Sequence, residues 1–163
     1  MKNKCLAKDV IAIIPAAGRA TRLPSIKHSK EILAIGYKNE SQNNSAMDKP
    51  VCFHLLEKFA NAGINKGIMI IREDKWDIPK TLGNGKCVNM EIAYQMLEHS
   101  HGTAYTINQA YPFIKENIVA LGFPDILFSP DDAYSQILQR LTDFNADVIL
   151  GLFPADRPEK SIW

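Results

Sequence analysis

Residues 10–24 constrain this chain more than any other stretch, because an uninterrupted apolar run passes directly into a loop of small residues. Residues 10–14 have the β-branched, apolar composition of a buried strand. The small residues 16–18 let the backbone come close to a ligand, and consecutive main-chain N–H groups in such a loop can surround an anion. Arg22 adds a planar, permanently charged group that fits phosphate, and Lys30 adds a more mobile cation. The segment therefore predicts a polyphosphate site at the carboxyl end of a first strand, where open α/β sheets bind ligands.

Beyond this loop the chain alternates short β-rich runs with segments of helical apolar spacing. This alternation predicts an α/β fold of the Rossmann-like kind, with three layers (α/β/α) around a mostly parallel central sheet. Helices are predicted at residues 49–62, 103–115 and, from Asp131 or Asp132, to Leu141; later strands are predicted at residues 66–72, within 87–97, at 118–123 and at 147–153. Asp48 is predicted to cap the first helix, and the polar residues between Tyr37 and Lys49 are predicted to form a loop.

Length and charge limit the partners that this chain can have. A length of 163 residues is enough for a single domain, and the 19 basic residues nearly balance the 18 acidic ones. Because there is no basic block, neither nucleic acid nor an anionic membrane is expected as a partner, whereas one phosphorylated small molecule is compatible. The three cysteines are widely spaced and lack metal-ligand spacing. A reduced, cytoplasmic protein without a membrane span is expected.

Two well-known phosphate-binding loops do not fit the segment after the first strand. It has no Walker pattern, and Gly18 stands alone where a dinucleotide fingerprint needs three glycines. The segment resembles instead the sugar-phosphate nucleotidyltransferases (NDP-sugar pyrophosphorylases), whose pattern runs approximately L-A-A-G-x-G-T-R-L-x-P and then P-K-x-L-L-P-[IV]-G. This chain reads P-A-A-G-R-A-T-R-L-P over residues 15–24 and S-K-E-I-L-A-I-G over residues 29–36. Ala20 replaces the second glycine of the pattern, and Ser29 replaces the proline before the lysine.

The resemblance implies roles for the two cations and for the loop. In the family, the arginine matching Arg22 and the lysine matching Lys30 hold the triphosphate and offset charge as pyrophosphate leaves, so both are predicted catalytic residues. As an isolated pair they would be read as solvated surface charges. The predicted nucleotide-binding residues are Ala16, Ala17, Gly18, Arg19, Ala20 and Thr21 in the loop, and Gly102 and Thr103 further along the chain. Arg19 is equally compatible with a solvent-facing loop charge.

A second candidate site follows the strand predicted at residues 118–123. The sequence G-F-P-D places Asp125 just past that strand, at the edge of the sheet where Mg²⁺ is held by a few carboxylates and by substrate phosphate oxygens. The family has an L-G-D element here, so Asp125 resembles its Mg²⁺ ligand, displaced by the inserted Phe123 and Pro124. The form G-F-P-D resembles a subgroup of glucose-1-phosphate thymidylyltransferase-like proteins. The alternative is that Asp125 only caps a turn before Ile126.

A third element, Gly102 and Thr103 followed by Ala104, matches the G-T-A that the family has at the start of a helix beside the nucleotide. Free N–H groups at that position can meet the base or a phosphate. Upstream, the family commonly has a glutamine that reads uracil or thymine, but Leu97 stands in its register here. Gln95 would substitute for it only if the strand shifts by two residues, a shift that keeps the same face.

These implications predict a nucleotidyltransferase, or its N-terminal half, that uses Mg²⁺ as its cofactor. It would transfer a nucleoside monophosphate from a nucleoside triphosphate, with dTTP or UTP expected, to a sugar-1-phosphate, and release pyrophosphate. The sugar-binding half of the family, including its second metal aspartate, lies beyond the part that this chain resembles, so a C-terminal truncation is expected. A sheet truncated in this way would expose an edge that favours assembly into a homo-oligomer.

Two other functions are compatible with the same residues. The first is a catalytically silent nucleotide-binding or regulatory module that lacks the sugar-binding half. The second is another transferase on the same fold, such as a cytidylyltransferase or a molybdopterin guanylyltransferase-like enzyme. The G-F-P-D and G-T-A elements weigh against this second alternative, and a comparison of CTP and GTP binding with UTP and dTTP binding would test it.

Overall fold

The computed structural model describes residues 10–19, 28–39 and 46–152. Its strands are β1 (Val10–Pro15), β2 (Ala34–Asn39), β3 (Ala46–Pro50), β4 (Lys66–Arg72), β5 (Glu91–Leu97) and β6 (Ile118–Leu121). Its α-helices are α1 (Val51–Asn61), α2 (Asp77–Leu82), α3 (Thr103–Asn108), α4 (Tyr111–Ile114) and α5 (Ala133–Asp143). Short 3-10 turns cover Lys30–Ile32 and Lys86–Val88.

The central sheet is parallel and has the strand order β5–β4–β1–β6, so β1 lies in its interior. From β1 the chain builds outward through β4 and β5 and then returns to the other side of β1 to form β6. This reversal of strand order leaves a crevice at the carboxyl ends of β1 and β6. Folds of this type bind their ligands at such a point.

Helices cover the central sheet on both faces, which confirms the predicted three-layer, Rossmann-like arrangement. Alternate side chains of β1 point to opposite faces. Ile14 lies in the cluster covered by α1, α2 and α5, and Ile13 lies in the cluster covered by α3 and α4; both are fully buried. A parallel strand that is buried on both faces needs an uninterrupted apolar run, and residues 10–14 supply one.

The hairpin of β2 and β3 is a departure from the predicted loop. These strands pair antiparallel, with Tyr37 opposite Asp48. The sequence did not predict these strands, because the polar residues between Tyr37 and Lys49 lack an apolar run. An antiparallel hairpin can face water and does not need such a run. Asp48 therefore does not cap a helix: it lies in β3, and α1 begins at Val51, immediately after Pro50.

Two further elements differ from the prediction. The helix predicted at residues 103–115 is divided into α3 and α4, and Pro112 lies in the first turn of α4. The strand predicted at residues 147–153 is absent over residues 147–152, where Val148 and Leu150 are 70% and 73% exposed. A β-rich run becomes a strand only where a neighbour supplies its hydrogen bonds, and no described strand pairs with this one. None of the described helices is long and apolar enough to cross a membrane.

Candidate functional site

The loop after β1 has a buried part and an exposed part. Ala16 N–H donates to Ile70 O at 2.7 Å and Ala16 O accepts from Lys75 Nζ at 2.7 Å, so the main chain of Ala16 is engaged within the protein. Ala16 and Ala17 are buried, whereas Gly18 and Arg19 are exposed. A Cβ added at Gly18 would meet nothing within 4 Å, which leaves the backbone there open to a ligand. The other predicted loop residues, Ala20, Thr21 and Arg22, lie outside the described part of the chain.

Lys30 and Asp125, predicted from two separate motifs, form an ion pair. Lys30 Nζ lies 2.5 Å from Asp125 Oδ2, and the two side chains keep 28% and 33% of their surface exposed. Lys30 begins the 3-10 turn before β2, and Asp125 occupies a turn after β6 that is closed by Ile126 N–H donating to Phe123 O at 3.2 Å. The Asp125 carboxylate therefore contacts Lys30, in addition to lying in the turn before Ile126 that was the alternative interpretation of its sequence.

Close packing at Gly122 sets the path of the chain from β6 to Asp125. Gly122 N–H donates to Ile13 O at 3.2 Å, which continues the pairing of β6 with β1. A Cβ at this position would lie 2.6 Å from both Leu55 Cδ1 and the hydroxyl oxygen of Tyr134, distances that real Cβ atoms do not tolerate. The Tyr134 hydroxyl donates to Leu121 O at 2.8 Å, and burial raises the pKa of that hydroxyl well above its usual value. A larger residue than the glycine of G-F-P-D would therefore force these side chains to move.

The residues on either side of Lys30 are held by the segment that follows β4. Ser29 donates twice to Asp77, from its N–H to Oδ2 and from its Oγ to Oδ1, both at 2.7 Å. Glu31 Oε1 accepts from Lys75 Nζ at 2.8 Å, and both side chains of that ion pair are buried. Sequence reasoning missed Lys75, Asp77 and Glu31. The available signal was Ser29, which supplies two donors where the family pattern has a proline.

The G-T-A element lies at the start of a helix, as its sequence predicted. Helix α3 begins at Thr103, and Gly102 adopts a φ of 105°, which favours glycine. Gly102 O accepts hydrogen bonds from both the N–H and the Oγ1 of Thr106, each at 3.0 Å. Gln95, considered above as a reader of the base, donates from Nε2 to Gln109 O at 2.7 Å, so in this structure its amide nitrogen ties β5 to the end of α3.

A cleft of about 460 Å³ opens beyond the carboxyl ends of β1, β4 and β5. It is lined by Arg19, Arg72, Glu73, Asp74, Glu98 and His99. Arg72 donates to both carboxylate oxygens of Asp74, from Nε at 2.6 Å and from Nη2 at 2.5 Å. The paired bonds raise the pKa of Arg72 and lower the pKa of Asp74. The charge of Arg72 is balanced by Asp74. Arg19, the other arginine of the cleft, forms no ion pair with a described carboxylate.

The described residues supply few metal ligands. No group of three or more histidine, cysteine, aspartate or glutamate side chains suited to a metal ion occurs among them. Asp125 is half-exposed at the crevice and already holds one cation, the Lys30 ammonium group. A single carboxylate of this kind fits Mg²⁺ that takes its other ligands from nucleotide phosphates and water.

Comparisons with known proteins agree with this fold. The family model described as nucleotidyl transferase matches residues 11–161. The chain belongs to the nucleotidyl transferase family. A curated relative, glucose-1-phosphate thymidylyltransferase from Streptomyces antibioticus, is 27% identical over 125 residues, which are 74% of this chain and 32% of the relative. The bifunctional protein GlmU from Staphylococcus haemolyticus is 30% identical over 105 residues, which are 64% of this chain and 19% of that protein.

Solved structures show the same fold for this nucleotidyl transferase chain. A crystal structure of a candidate glucose-1-phosphate thymidylyltransferase from Bacillus anthracis, in complex with a sucrose, matches with a TM-score of 0.70 at 20% identity. The match covers 82% of this chain and 50% of that one. The chain thus spans about a third or less of the curated relatives and half of the structural neighbour.

Proposed function

We propose that this chain is the nucleotide-binding part of a sugar-1-phosphate nucleotidyltransferase. It would transfer a nucleoside monophosphate from dTTP or UTP to a sugar-1-phosphate, with release of pyrophosphate. The observation that carries the proposal is the contact between Lys30 and Asp125 at the crevice between β1 and β6. A phosphate-binding cation and a metal-binding carboxylate are the two groups that such a reaction needs side by side.

This reaction requires the protein mainly to position the two substrates and to neutralise the charge of the phosphates. An oxygen of the sugar-1-phosphate attacks the α-phosphorus of the nucleoside triphosphate in line; a new P–O bond forms, and the bond to the β-phosphate breaks. The attacking oxygen is already an anion, so no general base is required. Lys30, with Arg22 as its expected partner, offsets the charge that builds on the leaving pyrophosphate.

Mg²⁺ bound at Asp125 would supply further charge neutralisation on the phosphates. The Lys30 ammonium group lies 2.5 Å from Asp125 Oδ2. Lys30 must leave that oxygen to reach a phosphate, and its departure makes the carboxylate available to another cation.

The cleft lined by Arg19, Glu98 and His99 is the proposed position of the nucleoside. It lies beside the exposed Gly18 and offers both donors and acceptors, as a base and a ribose require. The name of the Streptomyces relative, glucose-1-phosphate thymidylyltransferase, supports dTTP as the donor. A cytoplasmic location is part of the proposal, because three widely spaced cysteines, an odd number, agree with thiols that stay reduced.

A second candidate function is a nucleotide-binding module without turnover. The two candidates share the nucleotide site and differ only in whether pyrophosphate is released.

Calorimetric and thermal-shift titrations of the 163-residue chain with dTTP, UTP, CTP, GTP and ATP, each with and without Mg²⁺, test the proposal. Specific stabilisation by dTTP or UTP is expected, and Lys30→Ala should remove most of it. Lys86→Ala is the matched control, since Lys86 is an exposed lysine before β5, at the opposite end of the sheet. Equal losses in the two variants would overturn the role of Lys30. Pyrophosphate release with glucose-1-phosphate then separates the enzyme from the silent module.

A further inference from the structure

Lys30 is flanked on both sides by contacts to one short segment, residues 75–77. On one side, Ser29 donates its N–H and its hydroxyl to the two oxygens of Asp77. On the other side, Glu31 pairs with Lys75. Two adjacent anchors fix the main chain of Lys30, whereas its side chain is partly exposed and pairs with Asp125.

Lys75 connects this anchor to the loop after β1. Its Nζ donates to Glu31 Oε1 at 2.8 Å and to Ala16 O at 2.7 Å, so one ammonium group joins the lysine turn to the phosphate loop. Glu31 Oε2 has no hydrogen-bond partner among the described residues, so the carboxylate depends on Lys75 for its charge balance. Buried ion pairs of this kind add little net stability compared with apolar side chains, so their benefit lies in a defined geometry.

We infer that Asp77 and Lys75 are positioning residues that hold Lys30, and with it the loop after β1, at the correct place for a triphosphate. The inference rests on the proposed function. It also accounts for Ser29, since a proline at that position would have neither the N–H nor the hydroxyl that Asp77 accepts. Lys75 and Asp77 would touch no substrate and would act through Lys30 and the loop.

A double-mutant cycle on nucleotide affinity tests this directly. Asp77→Asn is made in the wild-type chain and in a Lys30→Ala background, and binding of Mg²⁺-dTTP and of inorganic tripolyphosphate is measured by calorimetry. If Asp77 acts through Lys30, Asp77→Asn weakens binding about tenfold in the wild-type chain, as expected for a hydrogen bond to a charged group. The same change has less than a twofold effect once Lys30 is absent.

Two further variants keep the test decisive. Asp143→Asn is the matched control, since Asp143 accepts a comparable side-chain bond from Gln139 on the exposed face of α5. If Asp77→Asn does not fold, Ser29→Ala removes only the hydroxyl bond and is expected to give a smaller loss with the same dependence on Lys30.

The outcomes separate this inference from the proposed function. Equal losses from Asp77→Asn in both backgrounds would assign Asp77 a general structural role and overturn the inference, while leaving the proposed function intact. The absence of any loss in the wild-type background would overturn it as well. If Lys30→Ala itself has no effect on triphosphate binding, the proposed function and the inference both fail.

Discussion

Lys30 Nζ and Asp125 Oδ2 are 2.5 Å apart, although 95 positions separate the two residues in the chain. Lys30 lies between β1 and β2, and Asp125 follows β6. The two side chains meet because β1 and β6 are neighbours in the sheet. The contact joins the two motifs on which the proposed transfer chemistry depends. The ion pair also restrains both side chains, and this restraint can be measured.

Asp125→Asn is expected to have opposite effects on dTTP binding with and without Mg²⁺. Without the metal, affinity should rise about twofold to fivefold, because a half-exposed ion pair that restrains Lys30 contributes about 0.5–1 kcal/mol. Addition of Mg²⁺ should raise the dTTP affinity of the variant much less than that of the wild type, because the asparagine amide is a poorer ligand for the ion than the carboxylate. Calorimetric titration at several Mg²⁺ concentrations measures both effects. Metal dependence equal to that of the wild type would remove Asp125 from the metal site.

Gly122→Ala is expected to reduce the free energy of unfolding by about 1–3 kcal/mol, the usual cost of overpacking. The added Cβ would lie 2.6 Å from Leu55 Cδ1 and from the Tyr134 hydroxyl oxygen. Urea denaturation measures the loss. Gly151→Ala is the control, since a Cβ there would meet Ile137 Cδ1 at an ordinary 3.5 Å. Similar stabilities for the two variants would show that the packing at Gly122 is not restrictive.

Lys75→Met is expected to destabilise the chain by about 3–5 kcal/mol, because it leaves the buried Glu31 carboxylate without a partner. The double variant Glu31→Met with Lys75→Met removes both charges and should recover most of that stability, but not wild-type dTTP affinity. Chemical denaturation and calorimetry measure the two quantities separately. Full recovery of dTTP affinity in the double variant would argue against a positioning role for the pair.

The pH dependence of stability should report the contact between Ser29 and Asp77. Partial burial alone would raise the pKa of the Asp77 carboxyl, but hydrogen bonds from the N–H and hydroxyl of Ser29 and from the N–H of Ile78 outweigh it, and the pKa lies below its usual value. Stabilisation by this carboxylate is therefore complete above the unfolded pKa of about 3.9 and disappears as the pH falls through the lower folded value. The difference in Tm between wild type and Asp77→Asn should be constant from pH 7 to about pH 5 and shrink below pH 4. A difference that stays constant to pH 3 would contradict this assignment.

The class of fold and the location of the motifs could be predicted because both depend on contiguous residues. The apolar run of β1 predicts a strand buried on both faces, and the small residues after it predict a loop open to a ligand at Gly18. The strand Lys66–Arg72 and a helix that begins at about Thr103 were predicted for the same reason, and both are present in the structure. The β2–β3 hairpin and the strand missing at residues 147–152 were not predicted, because strands form only where another strand pairs with them.

Local sequence determined which residues are available to the candidate site, and tertiary structure decided which of them meet. Lys75 and Asp77 belong to no recognisable motif, yet their contacts hold Glu31 and Ser29, the residues on either side of Lys30. These contacts span 48 and 44 positions along the chain, and the contact of Lys30 with Asp125 spans 95. Such distances close only after the strands are ordered in the sheet. That order results from packing the two faces of β1 at once, which no single segment of the sequence encodes.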